Sequence, residues 1–132
     1  MLRVVRRFLK RWRRREDGAL VYVCADGELT DGEIRRIEGL AAVICCAGGR
    51  LHAVGLVCPH AGARLVKGKI VGDCIECPLH GARFALDGGA VRRGPARRGV
   101  PAYDVVVRHG RVYVSRHPRR HGRSRHPRGA CP

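Results

Sequence analysis

Two short segments of this chain repeat one Cys/His pattern and constrain its fold more than any other feature. Residues 58–64 read C-P-H-A-G-A-R, residues 77–83 read C-P-L-H-G-A-R, and sixteen residues separate His60 from Cys77. In each segment proline follows the cysteine, which fixes φ and stiffens the loop. Glycine follows the histidine closely and lets backbone amides approach a bound group without a Cβ clash. The chain must therefore bring two stiff loops together around a shared site.

The pattern offers four potential metal ligands, Cys58, His60, Cys77 and His80. A typical zinc finger draws two cysteines from one half of the site and two histidines from the other. Here each loop supplies one thiolate and one imidazole. That division suits a [2Fe–2S] cluster in which two thiolates bind one iron and two imidazoles bind the other. A structural zinc site stays open as the alternative at this point.

Short apolar runs separated by turn residues fill the middle of the chain. We expect strands at residues 20–24, 33–37, 40–46, 51–56, 69–71, 74–77, 105–108 and 111–114. Glycine-containing turns at 47–50, 72–73, 87–89 and 109–110 separate or join these runs. Many short strands with regular turns predict an all-β fold, an antiparallel sandwich or incomplete barrel.

The net charge of +16 belongs to the two ends of the sequence. Residues 1–15 hold eight Arg or Lys and residues 116–132 hold six Arg, both without acids, while residues 16–115 carry a net charge of only +2. A folded basic face that reads nucleic acid is therefore not supported. We predict a basic extension at 1–18, either an amphipathic helix or disordered, a domain at 19–115, and a disordered basic tail at 116–132. The tails could contact acidic surfaces or an anionic membrane.

The seven cysteines are odd in number, and no convincing secretory signal precedes the first strand. Both observations favour a cytoplasmic chain with reduced thiols. Cys45 and Cys46 are neighbours in a predicted strand, so they face opposite sides and cannot bind one metal together. We expect both to be packing residues, as are Cys24 and Cys74. Cys131 is predicted to be a free thiol in the tail.

Residues 19–115 resemble a Rieske [2Fe–2S] domain, in particular a Rieske-type ferredoxin. The matching segments are V-C-P-H-A-G-A-R-L at 57–65, I-E-C-P-L-H-G-A-R-F at 75–84, G-P-A at 94–96 and V-V-V-R-H-G-R-V-Y-V at 105–114. The resemblance implies an antiparallel β-sandwich with a small cluster-binding subdomain. It also implies that Cys58 and Cys77 bind the inner iron, and that His60 and His80 bind the outer iron near the surface.

The resemblance further implies an electron carrier rather than an enzyme acting alone. Such a carrier would accept one electron from a flavoprotein reductase and give it to a terminal oxygenase or another redox acceptor. After His80 the sequence holds only His109 and the tail histidines, so no second iron site is evident. Two alternatives remain: a small Rieske subunit of a larger redox enzyme, such as a nitrite-reductase-like complex, and a structural zinc protein with nucleic-acid- or membrane-binding tails.

Two details refine this prediction. Ala82 and Phe84 stand where high-potential Rieske proteins have hydroxyl donors to the cluster sulfurs, so we expect a low potential, on the order of −150 mV. Four arginines, at 92, 93, 97 and 98, flank the G-P-A segment. They predict either a docking patch for an acidic partner or a solvated loop.

Overall fold

A computed structural model describes residues 19–120 and 131–132 of the chain. The predicted extension at 1–18 and residues 121–130 of the predicted tail lie outside the described residues. The described part contains ten β-strands and one short 3-10 helix, Leu65–Lys67. The strands are β1 (Leu20–Ala25), β2 (Ile34–Arg36), β3 (Ala42–Ala47), β4 (Arg50–Gly55), β5 (Lys69–Val71), β6 (Cys74–Glu76), β7 (Arg83–Ala85), β8 (Val91–Arg93), β9 (Ala102–Arg108) and β10 (Arg111–Pro118). The all-β prediction is confirmed.

The larger sheet has six antiparallel strands in the order β1-β10-β9-β4-β3-β2. Its β3–β4 hairpin turns at Gly48 and Gly49, which both have positive φ, a conformation that glycine adopts without a Cβ penalty. The β9–β10 hairpin turns at His109 and Gly110, which also have positive φ. No helix among the described residues is long and apolar enough to cross a membrane.

Strand β3 is the centre of the core because all six of its residues are buried. Alternate side chains of a strand point to opposite faces, so β3 contributes to two apolar clusters. Cys45 belongs to the cluster that also contains Cys58 and Cys77, whereas Cys46 belongs to a second cluster with Cys24. The prediction that Cys45 and Cys46 pack on opposite sides is therefore confirmed.

The smaller sheet has four antiparallel strands of three residues each, in the order β5-β6-β7-β8. Its two central strands, β6 and β7, are joined by residues 77–82, which include the second Cys/His segment. Gly68 precedes β5 where the chain passes very close to β6, because a Cβ at this position would lie 2.0 Å from the Glu76 carbonyl oxygen. The sequence did not predict β7 or β8.

The described part of the C-terminal tail corrects two predictions. Strand β10 continues to Pro118, which pairs with Tyr103, so residues 116–118 are ordered strand rather than disordered tail. Arg119 follows in a fixed position because its guanidinium binds Asp104 at 2.8 Å and Asp87 at 3.0 Å. Cys131 is not a free thiol.

Cys131 instead forms a disulfide with Cys74 in β6, across a Cα–Cα distance of 5.4 Å. The Arg83 guanidinium also donates a hydrogen bond to the Pro132 carbonyl oxygen. Both contacts attach the end of the described chain to the smaller sheet. These contacts join residues that are far apart in the sequence, so the polar composition of residues 116–132 did not predict them.

Candidate metal centre

The first Cys/His segment forms a loop closed by its own backbone. The Cys58 amide donates to the Ala63 carbonyl at 2.8 Å, and the Gly62 amide donates to the Cys58 carbonyl at 3.0 Å. Gly62 has φ +74, the left-handed conformation that favours glycine. Just outside these bonds, Val57 and Arg64 form a β-bridge that closes the base of the loop.

The second segment forms the same loop at equivalent positions. The Cys77 amide donates to the Ala82 carbonyl at 2.7 Å, and the Gly81 amide donates to the Cys77 carbonyl at 3.2 Å. Gly81 also has φ +74. The two loops therefore share one backbone frame. They differ in the histidine, which stands two residues after the cysteine in the first loop and three residues after it in the second, where His80 directly precedes the glycine.

The two cysteines meet inside the protein. Cys58 is 1% exposed and Cys77 is 4% exposed, and their thiols share a hydrogen bond. Burial raises the pKa of the Cys58 thiol, and the nearby Cys77 raises it further. The backbone amides of His60 and Ala61 donate to the Cys58 sulfur and act in the opposite direction. These amides are the kind of donor that stabilises a thiolate once a metal has displaced the proton.

The two histidines meet at the surface. His60 and His80 are both exposed, and their ring centroids lie 5.1 Å apart with the ring planes at 82°. Across the described residues, no group of three or more His, Cys, Asp or Glu side chains forms a site for a single metal ion. The four donors instead come together as two like pairs, sulfur with sulfur and nitrogen with nitrogen.

This arrangement fits the [2Fe–2S] group that the donor set predicts. A single tetrahedral zinc needs all four donors around one point, whereas a two-iron cluster takes one pair at each iron. The thiol pair lies within an apolar cluster that shields it from water. The imidazole pair lies outside, where a second protein could approach it. The pairing of buried thiols and exposed imidazoles is thus the chemical division expected of such a cluster.

The remaining cysteines do not join this site. Cys74 is bound in the disulfide, and Cys24, Cys45 and Cys46 are buried free thiols in the core. Burial raises the pKa of Cys45 to about 12, so this thiol stays protonated at neutral pH. The predictions that Cys24, Cys45 and Cys46 are packing residues are confirmed.

One contributor to this region went unnoticed in the sequence. Arg83, the last residue of the second segment, binds Glu76 at 3.0 Å across the two strands that carry the loop. The sequence signal that could have revealed this ion pair is the opposite charge of the two residues that flank the loop. The pair holds the base of the second loop closed.

Comparisons with known proteins match the part of the chain that carries the two Cys/His segments. The family described as Rieske [2Fe-2S] domain matches residues 19–104. The ferredoxin CarAc of Metapseudomonas resinovorans is 33% identical over 96 residues, which cover 70% of this chain and 90% of that protein.

Solved structures agree with the sequence comparison. The chain matches a structure titled as a complex of reduced oxygenase and oxidized ferredoxin in carbazole 1,9a-dioxygenase, with a TM-score of 0.71 and 30% identity over 76% of this chain and 96% of that one. It also matches a Mycobacterium tuberculosis chain assigned as an NADH-dependent nitrite reductase small subunit, with a TM-score of 0.64 and 31% identity over 74% and 94% of the two chains.

Proposed function

Because this chain belongs to the Rieske [2Fe–2S] domain family, we propose that it is a Rieske-type ferredoxin that carries single electrons from a reductase to an oxygenase or another redox acceptor. The domain of this family carries one [2Fe–2S] cluster. The observation that supports the proposal most directly is the separation of a buried thiol pair from an exposed imidazole pair. The ferredoxins among the relatives support the same function.

The ligand set of the proposal is Cys58, His60, Cys77 and His80. The bound cluster would supply one-electron oxidation and reduction. Cys58 and Cys77 hold their sulfurs within the apolar cluster, where the backbone amides of the first loop can stabilise negative charge. His60 and His80 present their rings to the surface, so the site is shielded on the thiol side and accessible on the imidazole side. An acceptor can approach only on the accessible side.

The surroundings of the site support a low reduction potential. Ala82 and Phe84 are buried, 1% and 0% exposed, and neither side chain carries a hydroxyl to donate to a cluster sulfur. Such donors stabilise the more negative, reduced cluster, so their replacement by apolar groups lowers the potential. We expect a potential on the order of −150 mV. A measured potential above about +100 mV would contradict this reasoning.

The expected partners are a flavoprotein reductase as electron donor and a terminal oxygenase as acceptor. The structure of an oxygenase with its ferredoxin, which this chain resembles, supports a protein acceptor of that kind. The donor is proposed from the chemistry alone, because a flavin can pass electrons singly from a two-electron donor to a one-electron carrier.

The decisive experiment measures what the purified chain binds. We expect iron and acid-labile sulfide in equal amounts, two of each per chain, and a reductive titration that takes up one electron per chain. Electron-spin resonance of the reduced protein then identifies the mixed thiolate and imidazole ligation. One zinc per chain without sulfide would instead establish the structural zinc alternative.

A second candidate is a small subunit of a larger redox enzyme. The likeness to the nitrite reductase small subunit favours it, since that match is nearly as extensive as the ferredoxin match. Affinity purification of the chain from its own cells separates the two candidates. A carrier leaves its partners at moderate salt, whereas a subunit remains in a stable complex of fixed composition.

We also propose a cytoplasmic location, the compartment in which such carriers would meet a flavoprotein reductase. The Cys74–Cys131 disulfide corrects the expectation that all thiols, including that of Cys74, are reduced. It also makes the location testable, because disulfides are rare in the cytoplasm. Acid quenching of cells followed by thiol alkylation should find these two cysteines largely reduced. A fully oxidised pair would place the chain in an oxidising compartment.

A further inference from the structure

We propose that the end of the smaller sheet that carries the imidazole pair is a docking surface for an acidic face of a redox partner protein. This inference rests on the proposed electron-carrier function and adds the chemistry of the partner. We call this end the loop end and define it by Lys69, Glu76, Arg83 and Arg93. These residues stand side by side where the four strands meet the 77–82 loop.

The strand register places cations at one end of the smaller sheet. Lys69 begins β5 and Arg93 ends β8, so a cation stands at each edge of the loop end. The opposite end consists of the β5–β6 turn with Asp73 and the β7–β8 turn with Asp87. Asp87 is paired with Arg119 at 3.0 Å, so what distinguishes the two ends is the excess of cations at the loop end, on the side of the imidazoles.

The positive charge at the loop end exceeds what its acids neutralise. Glu76 is shared between Arg83 at 3.0 Å and Lys69 at 3.4 Å, so one carboxylate serves two cations. Arg93 is exposed and pairs in register with Arg83, so it adds a further cation to the loop end. Within the described residues, segment 57–101 holds eight Arg or Lys and three acids.

The larger sheet has the opposite balance in its first half. Residues 20–56 hold three Arg or Lys and five acids. Arg35 there is bound by two carboxylates, Glu28 and Glu33. Positive charge therefore prevails in the segment that carries both Cys/His loops, whereas acids prevail in the segment of strands β1 to β4. Such an asymmetry orients an approaching acidic protein toward the imidazole side.

Lys69 and Arg93 are held on strands rather than on a free loop. Lys69 pairs with Glu76 in β6, and Arg93 pairs with Arg83 in β7. Arg97 and Arg98 lie farther along the chain, on a segment whose Val100 amide donates to the Gly89 carbonyl at 2.9 Å, beside the β7–β8 turn. Anchored charges lose less entropy on docking than mobile ones, so they contribute more to recognition.

An apolar centre favours a protein over a nucleic acid or a membrane headgroup layer. Leu79, next to His80 at the tip of the loop, is 56% exposed, and Pro78 beside it is exposed as well. Apolar residues bordered by polar and charged residues are typical of protein–protein interfaces, whose cores exclude water and whose rims are polar. At this surface the apolar centre coincides with the imidazoles, where electrons would leave.

The test follows electron transfer from the dithionite-reduced, full-length holoprotein to two protein acceptors of opposite charge. The probes are plastocyanin, an acidic blue-copper protein, and cytochrome c, a basic haem protein. Stopped-flow rates are measured from low to high salt for the wild type and for K69E/R93E, which reverses the cation at each edge of the loop end. The matched control is R50E/R111E, which changes the net charge equally at two exposed positions of the larger sheet. Visible and circular dichroism spectra verify that each variant holds its cluster and fold.

We expect K69E/R93E to lower the plastocyanin rate about tenfold at low salt, and R50E/R111E to change it less than about twofold. The rates should converge at high salt because screening removes the steering. K69R/R93K should retain the wild-type rate. Equal effects of the two charge reversals would overturn the inference, because they would show that only net charge matters.

Two further outcomes have separate meanings. Binding of duplex DNA or phosphatidylserine vesicles that falls about tenfold in K69E/R93E, with an unchanged plastocyanin rate, would overturn the inference in favour of those partners. A reduced holoprotein that passes no electron to either acceptor would contradict the electron-carrier function itself. The rates of the variants therefore test the docking inference, and the rate of the wild type tests the proposed function.

Discussion

The larger and smaller sheets of this protein differ in the length of their strands and in what holds those strands together. Five of the six strands of the larger sheet have six to eight residues, while all four strands of the smaller sheet have three. Three-residue strands are at the short limit for independent stability. The smaller sheet compensates with a disulfide, the Arg83–Glu76 ion pair and the two backbone-closed loops.

The two sheets also differ in role, because the larger sheet mainly supports the fold and the smaller sheet carries residues of the proposed site. One of the two apolar clusters, the one with Cys24 and Cys46, is built from strands and loops of the larger sheet alone, so we expect much of this sheet to form without a metal. The smaller sheet carries Cys77, His80 and the loop end, where the Arg83–Glu76 ion pair also lies. A bound cluster would join the two loops and become part of the structure of the smaller sheet.

The largest effect that we expect comes from the thiols of the proposed site. Cys58→Ser or Cys77→Ser should abolish the visible absorption of the reconstituted protein and reduce bound iron to near zero, because a hydroxyl is a poor substitute for a thiolate. Cys45→Ser in the larger sheet is the matched control. Its thiol is equally buried and donates to the His52 carbonyl at 3.6 Å, a bond that a hydroxyl can also make. If Cys58→Ser kept the full iron content, the ligand assignment would be wrong.

The contrast between the sheets also explains how much of the fold could be predicted. The larger sheet has long apolar runs and glycine turns, which are local signals, and its strands were predicted to within a few residues. Strands β7 and β8 carry R-F-A and V-R-R, which are too short to show a periodicity. They exist because Phe84 fills the core and because neighbouring strands pair with them, and both causes are long-range.

The site shows the same limit. The two Cys/His segments could be found in the sequence because each is local, and the structure brings their side chains together in like pairs. Their role as ligands stays a prediction. The partner of Cys74 could not be found, since spacing alone does not determine disulfide connectivity. The charge asymmetry of the smaller sheet was hidden too, because it depends on the register that aligns Lys69 with Glu76 and Arg83 with Arg93.

The second prediction concerns the disulfide, which distinguishes the smaller sheet from the larger. It links residues 57 apart in sequence, so chain-entropy reasoning gives a stabilisation of about 4 kcal/mol. We expect Cys131→Ser, or reduction of the wild type, to lower the free energy of unfolding in urea by that amount. Hydrogen exchange should accelerate in β6 more than in β9. Reductant should have no further effect on Cys131→Ser, and unchanged stability of this variant would show that the disulfide does not hold the sheet.

The third prediction compares two glycines. Gly68→Ala places a Cβ 2.0 Å from the Glu76 carbonyl oxygen, which forces β5 away from β6 and should cost about 3 kcal/mol. Gly48→Ala in the larger sheet meets open space and is opposed only by its φ of +58, at a cost of about 1 kcal/mol. Urea unfolding of both apoproteins measures the difference. Equal costs would mean that the smaller sheet can relax, and that its close packing is not what holds β5 in place.

The smallest effect is a pH dependence confined to the larger sheet. The Thr30 amide donates to Glu33 at 3.2 Å and the Arg35 guanidinium donates at 2.8 Å, and together they hold the pKa of Glu33 below its ordinary value. A lowered folded pKa stabilises the native state above the unfolded pKa of about 4.3, and this contribution disappears as the pH falls through the folded value.

Glu33→Gln should therefore remove a stabilisation that the wild type has at pH 6 and has lost at pH 2, as measured by urea unfolding across that range. The effect is small because Glu33 lies at the surface, where solvent screens the interaction. A difference between the wild type and Glu33→Gln that did not change with pH would assign the effect to hydrogen-bond geometry rather than to the carboxylate charge. Because Glu33 precedes β2, at an edge of the larger sheet, its titration should leave hydrogen exchange in β6 unchanged.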